Sequence, residues 1–310
     1  MAADLPRHVL VTGAGGFVGQ ALVRALATEW SVIATDRAGM DFADQSSVTV
    51  LPGDLDDPEL IAAATAQPLD AVVHLATIPG GAAELDPALA ARINVAASMA
   101  LIDAASAHGS RPRVLFASSI AVFGDPLPPH VDDETPLTPM LRYGAHKAMV
   151  EEWVATMTRR GAIRGLSLRL PGILARPLAP SGMKSAFLSN LFHALKAGEP
   201  FTLPVCANAT SWLLSRRTLV AQLERALDLP DEPTDARLTL PALRVQMRDL
   251  IEEVARQTGS NPKLVSHAPD PAIQAAFGSQ PPLSTPRADA LGLHHDGSLA
   301  ALVAHALADL

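Results

Sequence analysis

Tyr143 and Lys147 stand four residues apart in Tyr-Gly-Ala-His-Lys, at the start of an amphipathic helical pattern. On a helix that spacing puts both side chains on one face. A phenol titrates near pH ~10, too high for a base at neutral pH, and a neighbouring ammonium favours the phenolate. The chain has one tyrosine and four lysines (Lys147, Lys184, Lys196, Lys263), so the pairing is specific. Upstream, Ser118 and Ser119 follow the apolar run Arg113–Ala117. A serine hydroxyl at the carboxyl end of a strand could hold a substrate oxygen while the tyrosine moves its proton. The competing reading is a core tyrosine, a surface lysine and a capping serine.

A second constellation lies at the amino end. Residues 8–19 read His-Val-Leu-Val-Thr-Gly-Ala-Gly-Gly-Phe-Val-Gly, an apolar run leading into Gly13, Gly16 and Gly19 with a helical pattern directly after. One glycine permits the tight turn, one lets backbone approach a pyrophosphate, and one permits close helix–strand contact. The pyrophosphate would sit at the positive end of the helix, which Phe17 and Val18 open. Asp36 follows the second strand pattern, placed to accept hydrogen bonds from an adenosine ribose and to repel a 2′-phosphate, which favours NAD over NADP. Arg37 next door keeps the NADP alternative open. Asp54 and Leu55, after the third strand pattern, are placed to meet the adenine, or Asp54 is an exposed turn residue. A bound nicotinamide, being positive, would add to the stabilisation of a Tyr143 phenolate.

The elements that position these residues alternate. Strand-like runs are expected at His8–Thr12, Ser31–Thr35, Val48–Leu51, Asp70–Ala76, Arg113–Ala117 and Gly165–Leu170. Helical patterns lie at Phe17–Thr28, Pro58–Ala66, Pro87–Ala107 and Tyr143–Arg160. The strand runs are apolar without alternation, as in a parallel sheet covered by helices on both faces. The expected fold is α/β, a Rossmann-type doubly wound parallel sheet with a smaller, partly interleaved C-terminal substrate region. Residues 1–170 form the core and 171–310 mainly the substrate region, with some segments returning to the core. Residues 171–183 read as a loop. Helical patterns follow at Lys184–Ala197, Arg216–Leu227, Val245–Thr258 and Ser298–Ala308, with short strands at Phe201–Leu203 and Arg237–Leu240.

Composition narrows the function classes. A net charge of −8 over 310 residues argues against a nucleic-acid partner, which needs a basic face. Cys206 alone excludes an intrachain disulfide framework and a Cys-rich zinc site, and no histidine spacing suggests another metal. No uncharged run reaches the eighteen or so residues of a membrane span, and Met1 to Arg7 lack an apolar leader. A soluble, cytoplasmic protein is expected, without nucleic-acid or membrane partners.

Three motifs in order, T-G-x-x-G-x-x-G, S-S-x-x-V-F-G at 118–124 and Y-x-x-x-K at 143–147, resemble the extended short-chain dehydrogenase/reductase family over essentially the whole chain. The resemblance implies Ser119, Tyr143 and Lys147 as catalytic residues. It implies that Leu75, Ala76, Thr77, Asn94 and Pro171 line the cofactor together with Tyr143 and Lys147. Phe123 replaces a more usual tyrosine. Dehydratases of this family carry an acidic pair after the catalytic hydroxyl; Ile120 and Ala121 stand there instead. Sugar-nucleotide enzymes hold the diphosphate with an asparagine and an arginine where this chain has Gly172 and Thr210, so a small substrate is expected. The stretches RLPGILARP, AGEPFTLPV, ATSWLLS and LPALRV resemble a branch that oxidises a four-carbon sugar acid, D-erythronate, at C2. A small sugar acid needs a carboxylate partner; Arg176 is the candidate, or its stem packs on its loop. Thr77, Ser119, Tyr143 and Ser211 complete the expected substrate set, while Trp212 is as plausibly core. A sugar-nucleotide epimerase and a non-catalytic dinucleotide-binding regulator remain as alternatives. In relatives, helices corresponding to Pro87–Ala107 and Tyr143–Arg160 pair about a two-fold axis, which implies a homodimer.

Overall fold

A computed structural model describes residues 7–37, 39–178, 184–231 and 237–310. Residues 1–6, at the expected leaderless start, and 179–183 of the expected loop lie outside the described residues. The chain divides into two compact units. The first holds the described residues through Val122, Leu141–Arg169 and Leu223–Leu238; the second holds Phe123–Met140, Leu170–Gln222 and Thr239–Leu310. The chain therefore passes between the units several times; the sequence reading placed the main cut at 170 with some segments returning to the core, and did not assign Phe123–Met140 to the second unit.

In the first unit the strands are β1 (Arg7–Thr12), β2 (Trp30–Asp36), β3 (Val48–Pro52), β4 (Ala71–His74), β5 (Arg113–Ser119) and β6 (Arg164–Leu170). The helices are α1 (Phe17–Leu26), α2 (Pro58–Ala64), α3 (Gly80–Leu85), α4 (Pro87–Ala91), α5 (Ser98–Ser106) and α6 (Arg142–Arg159). With the strand Arg237–Thr239 at one edge, the seven-stranded sheet runs Arg237–Thr239, β6, β5, β4, β1, β2, β3. The pairings β3–β2, β2–β1, β1–β4 and β4–β5 are parallel. This is a Rossmann-like α/β fold. Val9, Leu10, Val11, Val72 and Val73 are fully buried, because helices cover both faces of the central strands; that is why these runs are apolar without alternation. The strand order reverses between β1 and β4, where loops diverge to opposite faces and open α/β sheets bind their ligands.

The single helix expected over Pro87–Ala107 is broken by a π-helical stretch, Arg92–Ala97, between α4 and α5. It carries Asn94 and ends where Ser98 donates its hydroxyl to the Asn94 carbonyl at 3.0 Å. The helical run Pro87–Ser106 has the length and hydropathy of a membrane span. Its Ala97, Leu101, Ile102 and Ala105 pack into the core of the first unit, and it carries the charged Arg92 and Asp103.

The second unit contains a three-stranded sheet ordered Leu243–Gln246, Thr210–Leu214, Gly172–Ile173. Its central strand, Thr210–Leu214, is buried at every position and was not recognised as a strand from sequence. Its antiparallel partner Leu243–Gln246 takes the first residues of the helix expected at Val245, so that helix runs Met247–Thr258. Gly172–Ile173 lies within the stretch read as loop. Leu191, Phe192, Leu195, Leu213, Leu250 and Val254 form part of this unit's core. Ser298 caps the last helix by accepting the Ala301 N–H at 3.1 Å.

Candidate active site

The glycine loop closes on the end of β4. Gly13 has φ +73, and a Cβ there would lie 2.7 Å from the Ala76 nitrogen; both facts restrict the position to glycine. A Cβ at Gly19 would meet the Gly13 carbonyl at 2.1 Å, so α1 passes too close to the loop for any side chain. Gly16 caps α1 without a side-chain bond, and Phe17 and Val18, both half-buried, form its first turn. Asp36 ends β2, and its Oδ2 accepts the Gly15 N–H at 3.0 Å. A backbone cradle with a carboxylate at its side fits a dinucleotide. Asp54 is exposed and contacts Arg37, while Leu55 is 7% exposed and packs in the core of the first unit.

The loop after β4 is clamped by Asn94. Its Oδ1 accepts from Ile78 N–H at 2.7 Å and from the Thr77 hydroxyl at 3.1 Å, and its Nδ2 donates to the Ile78 carbonyl at 3.0 Å. Leu75, Ala76 and Thr77 are half-buried along this loop.

Sequence reasoning missed His74, the one polar residue in an otherwise apolar strand run. It is fully buried between Thr12, 2.6 Å from Nδ1, and Ser98, 2.8 Å from Nε2. Burial, and secondarily the Lys147 charge, hold its pKa down at about 3, so the imidazole is neutral. The partners fix one direction of donation. Ala76 N–H donates to Thr12 Oγ1 at 3.3 Å, Thr12 to His74 Nδ1, His74 Nε2–H to Ser98, and Ser98 to the Asn94 carbonyl. The chain ties the glycine-loop strand, the β4 loop and the π-helical turn together.

Ser119, Tyr143 and Lys147 all belong to the first unit. Ser119, half-buried at the end of β5, accepts the Ala121 N–H at 3.1 Å. Tyr143 lies in the first turn of α6 and is half-buried. A Cβ at Gly80 would lie 3.8 Å from its Cβ, so α3 crosses close to it. Lys147 is 2% exposed. Its Nζ lies 4.6 Å from the Phe116 ring centroid and 5.5 Å from that of Tyr143. Burial pulls its pKa down from 10.5 to about 7, against the upward pull of Glu151 one helical turn on.

Glu151, also missed, is fully buried. Arg169 on β6 grips both carboxylate oxygens, with Nη2 2.8 Å from Oε2 and Nε 3.0 Å from Oε1, and the Ser118 hydroxyl donates to Oε1. When Lys147 is protonated, the group holds two cations, Lys147 and Arg169, beside the Glu151 carboxylate. An acid on the apolar face of Met-Val-Glu-Glu-Trp and an arginine inside an apolar strand were the available signals. Opposite charges displaced from where periodicity puts polar residues mark a buried pair.

The remaining expected residues belong to the second unit. Pro171 is buried. Arg176 is half-buried; its N–H donates to Ser189 Oγ at 3.1 Å, and its carbonyl accepts from His193 Nε2 at 2.8 Å. Ser211 is 2% exposed and gives its hydroxyl proton to the Phe277 carbonyl, so it acts as a strut of the small sheet. Trp212 is core, with Nε1 donating to the Pro281 carbonyl at 2.7 Å.

The NAD dependent epimerase/dehydratase family pattern matches residues 9–213. The chain is 35% identical over 307 residues to a D-erythronate dehydrogenase of Cupriavidus necator, covering 94% of this chain and 95% of that protein. It is 30% identical over 259 residues to a D-erythronate dehydrogenase of Haemophilus influenzae, covering 81% and 82%. Among solved structures, one described as a nucleoside-diphosphate-sugar epimerase from Agrobacterium tumefaciens aligns with a TM-score of 0.88 at 30% identity, covering 96% of this chain and 92% of that one.

Proposed function

The chain belongs to the NAD dependent epimerase/dehydratase family and is an NAD-dependent oxidoreductase; we propose that it oxidises the C2 hydroxyl of a small sugar acid, D-erythronate first, to 2-oxo-tetronate. The observation that carries the reading is similarity to two D-erythronate dehydrogenases over 94% and 81% of this chain. Two positions support a small substrate over a nucleotide sugar. A Cβ at Gly172 would press on Leu213 Cδ2 and the Trp212 carbonyl, each at 3.2 Å. Thr210 is 6% exposed, with its hydroxyl given to the Gln280 carbonyl at 2.7 Å. Neither position extends a side chain toward a diphosphate.

Gly13, Gly16, Gly19 and Asp36 would hold the dinucleotide, with the Leu75–Thr77 loop and Asn94 shaping the same site. NAD supplies the hydride acceptor for the C2 hydrogen. Ser119 holds the substrate oxygen, and Tyr143 takes the hydroxyl proton as the C2–O bond becomes a carbonyl. Buried Lys147 favours the phenolate that this transfer requires. With Lys147 protonated, Lys147, Arg169 and Glu151 carry an excess of one positive charge, which a Tyr143 phenolate would offset. Arg176 is the proposed carboxylate partner, since a guanidinium binds a carboxylate through two parallel hydrogen bonds.

The 30% identity to a protein described as a nucleoside-diphosphate-sugar epimerase favours a second reading, sugar-nucleotide epimerisation. A panel of tetronic, aldonic and uronic acids against UDP-sugars separates the two. The proposal expects NADH from NAD and D-erythronate. Turnover of a UDP-sugar with no NADH from any acid rejects it.

A further inference from the structure

Two charged residues beside Asp36 make a contact that the mechanism above does not use. Arg37 follows β2 directly, and its Nε lies 3.3 Å from Oδ1 of Asp54. The backbone sets this contact. β2 and β3 run parallel with Asp36 opposite Pro52, and the Gly53 N–H donates to the Asp36 carbonyl at 3.1 Å. The next turn is closed by the Asp57 N–H on the Asp54 carbonyl, also at 3.1 Å, so Asp54 is delivered beside Arg37 by main-chain geometry. Both side chains are more than half exposed, 62% and 56%, so the pair contributes little to folding. The nearby Asp56 is engaged elsewhere, with Arg92 at 3.0 Å.

An arginine adjoining a ribose-binding carboxylate is the group that would attract a 2′-phosphate. In this protein that arginine faces a second carboxylate. Asp36, Arg37 and Asp54 contribute two carboxylates and one guanidinium to this corner of the fold, with Arg37 paired to Asp54, which disfavours a dianionic phosphate in two ways. The net charge is negative, and the one cation already has a partner.

We infer that Asp54 sets cofactor choice by holding Arg37 away from a 2′-phosphate, so that NADP(H) is excluded by an Asp36–Arg37–Asp54 arrangement and not by Asp36 alone. The inference rests on the dinucleotide site and not on the sugar-acid reading, so its test contains no substrate.

NADH and NADPH are titrated into wild type, Asp54→Asn, Arg37→Ala and the Arg37→Ala/Asp54→Asn double variant at low ionic strength, following nicotinamide fluorescence. Asn keeps the size and one acceptor oxygen of Asp54 and removes its charge. The ratio of NADPH to NADH affinity is expected to rise about fivefold in Asp54→Asn, the scale of one exposed ion-pair contact. The rise should shrink in high salt, and most of it should disappear in the double variant. An unchanged ratio in Asp54→Asn overturns the inference, including when both affinities fall together. A ratio that stays fully raised in the double variant also overturns it, because Asp54 would then act through its own charge without Arg37.

Discussion

Replacing Lys147 with methionine should stabilise the cofactor-free protein at neutral pH while disabling it. Lys147 is 2% exposed, and burial lowers its pKa from 10.5 to about 7. The native protein thus binds the lysine proton less tightly than the unfolded chain does. Below pH about 7 both states are charged and the burial penalty is complete. Between about 7 and 10.5 the unfolded chain keeps a proton that the native chain has released, so stability climbs with pH. Above that window the penalty is gone. The full penalty is about 5 kcal/mol at 1.36 kcal/mol per pKa unit. Methionine fills a similar volume without charge, and Glu151 keeps its grip on Arg169. The variant also loses the cation over the Phe116 and Tyr143 rings, which returns part of the gain, so the net stabilisation at pH 7 is about 2–4 kcal/mol. Urea denaturation of both proteins at pH 7 and pH 10 measures it. The gap should be largest at pH 7 and close toward pH 10. A variant less stable than wild type at pH 7, or a gap independent of pH, refutes the charged-lysine account. Turnover should fall in the same variant, with residual activity moved to higher pH, because the phenolate has lost its cation.

Tyr143→Phe should lower turnover by about 100- to 10,000-fold, the value of a general acid–base group, while NADH affinity by fluorescence changes little; near-normal turnover would remove Tyr143 from the mechanism. Glu151→Gln removes the buried carboxylate that Arg169 grips through both oxygens and should cost about 3–5 kcal/mol of stability in urea denaturation, whereas a loss under about 1 kcal/mol would mean the pair is not desolvated as described. Arg176→Ala should raise the KM for D-erythronate about tenfold or more if its guanidinium holds the carboxylate, with Arg176→Lys recovering part of that; normal kinetics would reject this assignment alone. Met149, 56% exposed on α6, lies on a helix expected to pair in a homodimer; light scattering that gives a monomer at micromolar concentration counts against that pairing.

The first unit was legible because its signals are local. A strand buried on both faces shows as an unbroken apolar run, and a glycine loop is forced by close approach: no other residue fits at Gly13 or Gly19. The Tyr143–Lys147 spacing needs only one turn of helix. What sequence did not show depends on partners distant in the chain. Thr210–Leu214 is a central strand because Leu243–Gln246 and Gly172–Ile173 flank it, and neither flank can be read from Thr-Ser-Trp-Leu-Leu. The same pairing shortens the helix expected at Val245, since residues that look helical by periodicity are recruited to an edge. Ser211 was expected at the substrate for its hydroxyl, yet Phe277, sixty-six residues on, takes that proton. The hidden ionic group follows the same rule. Glu151 and Arg169 are ordinary charges in sequence, and only the crossing of α6 over β5 and β6 makes them a buried pair beside Lys147. The candidate catalytic pair is therefore written in a short spacing, while the electrostatics that tune Lys147 are written in tertiary contacts. A substitution at Glu151 can change the chemistry of Lys147 while every family motif remains intact.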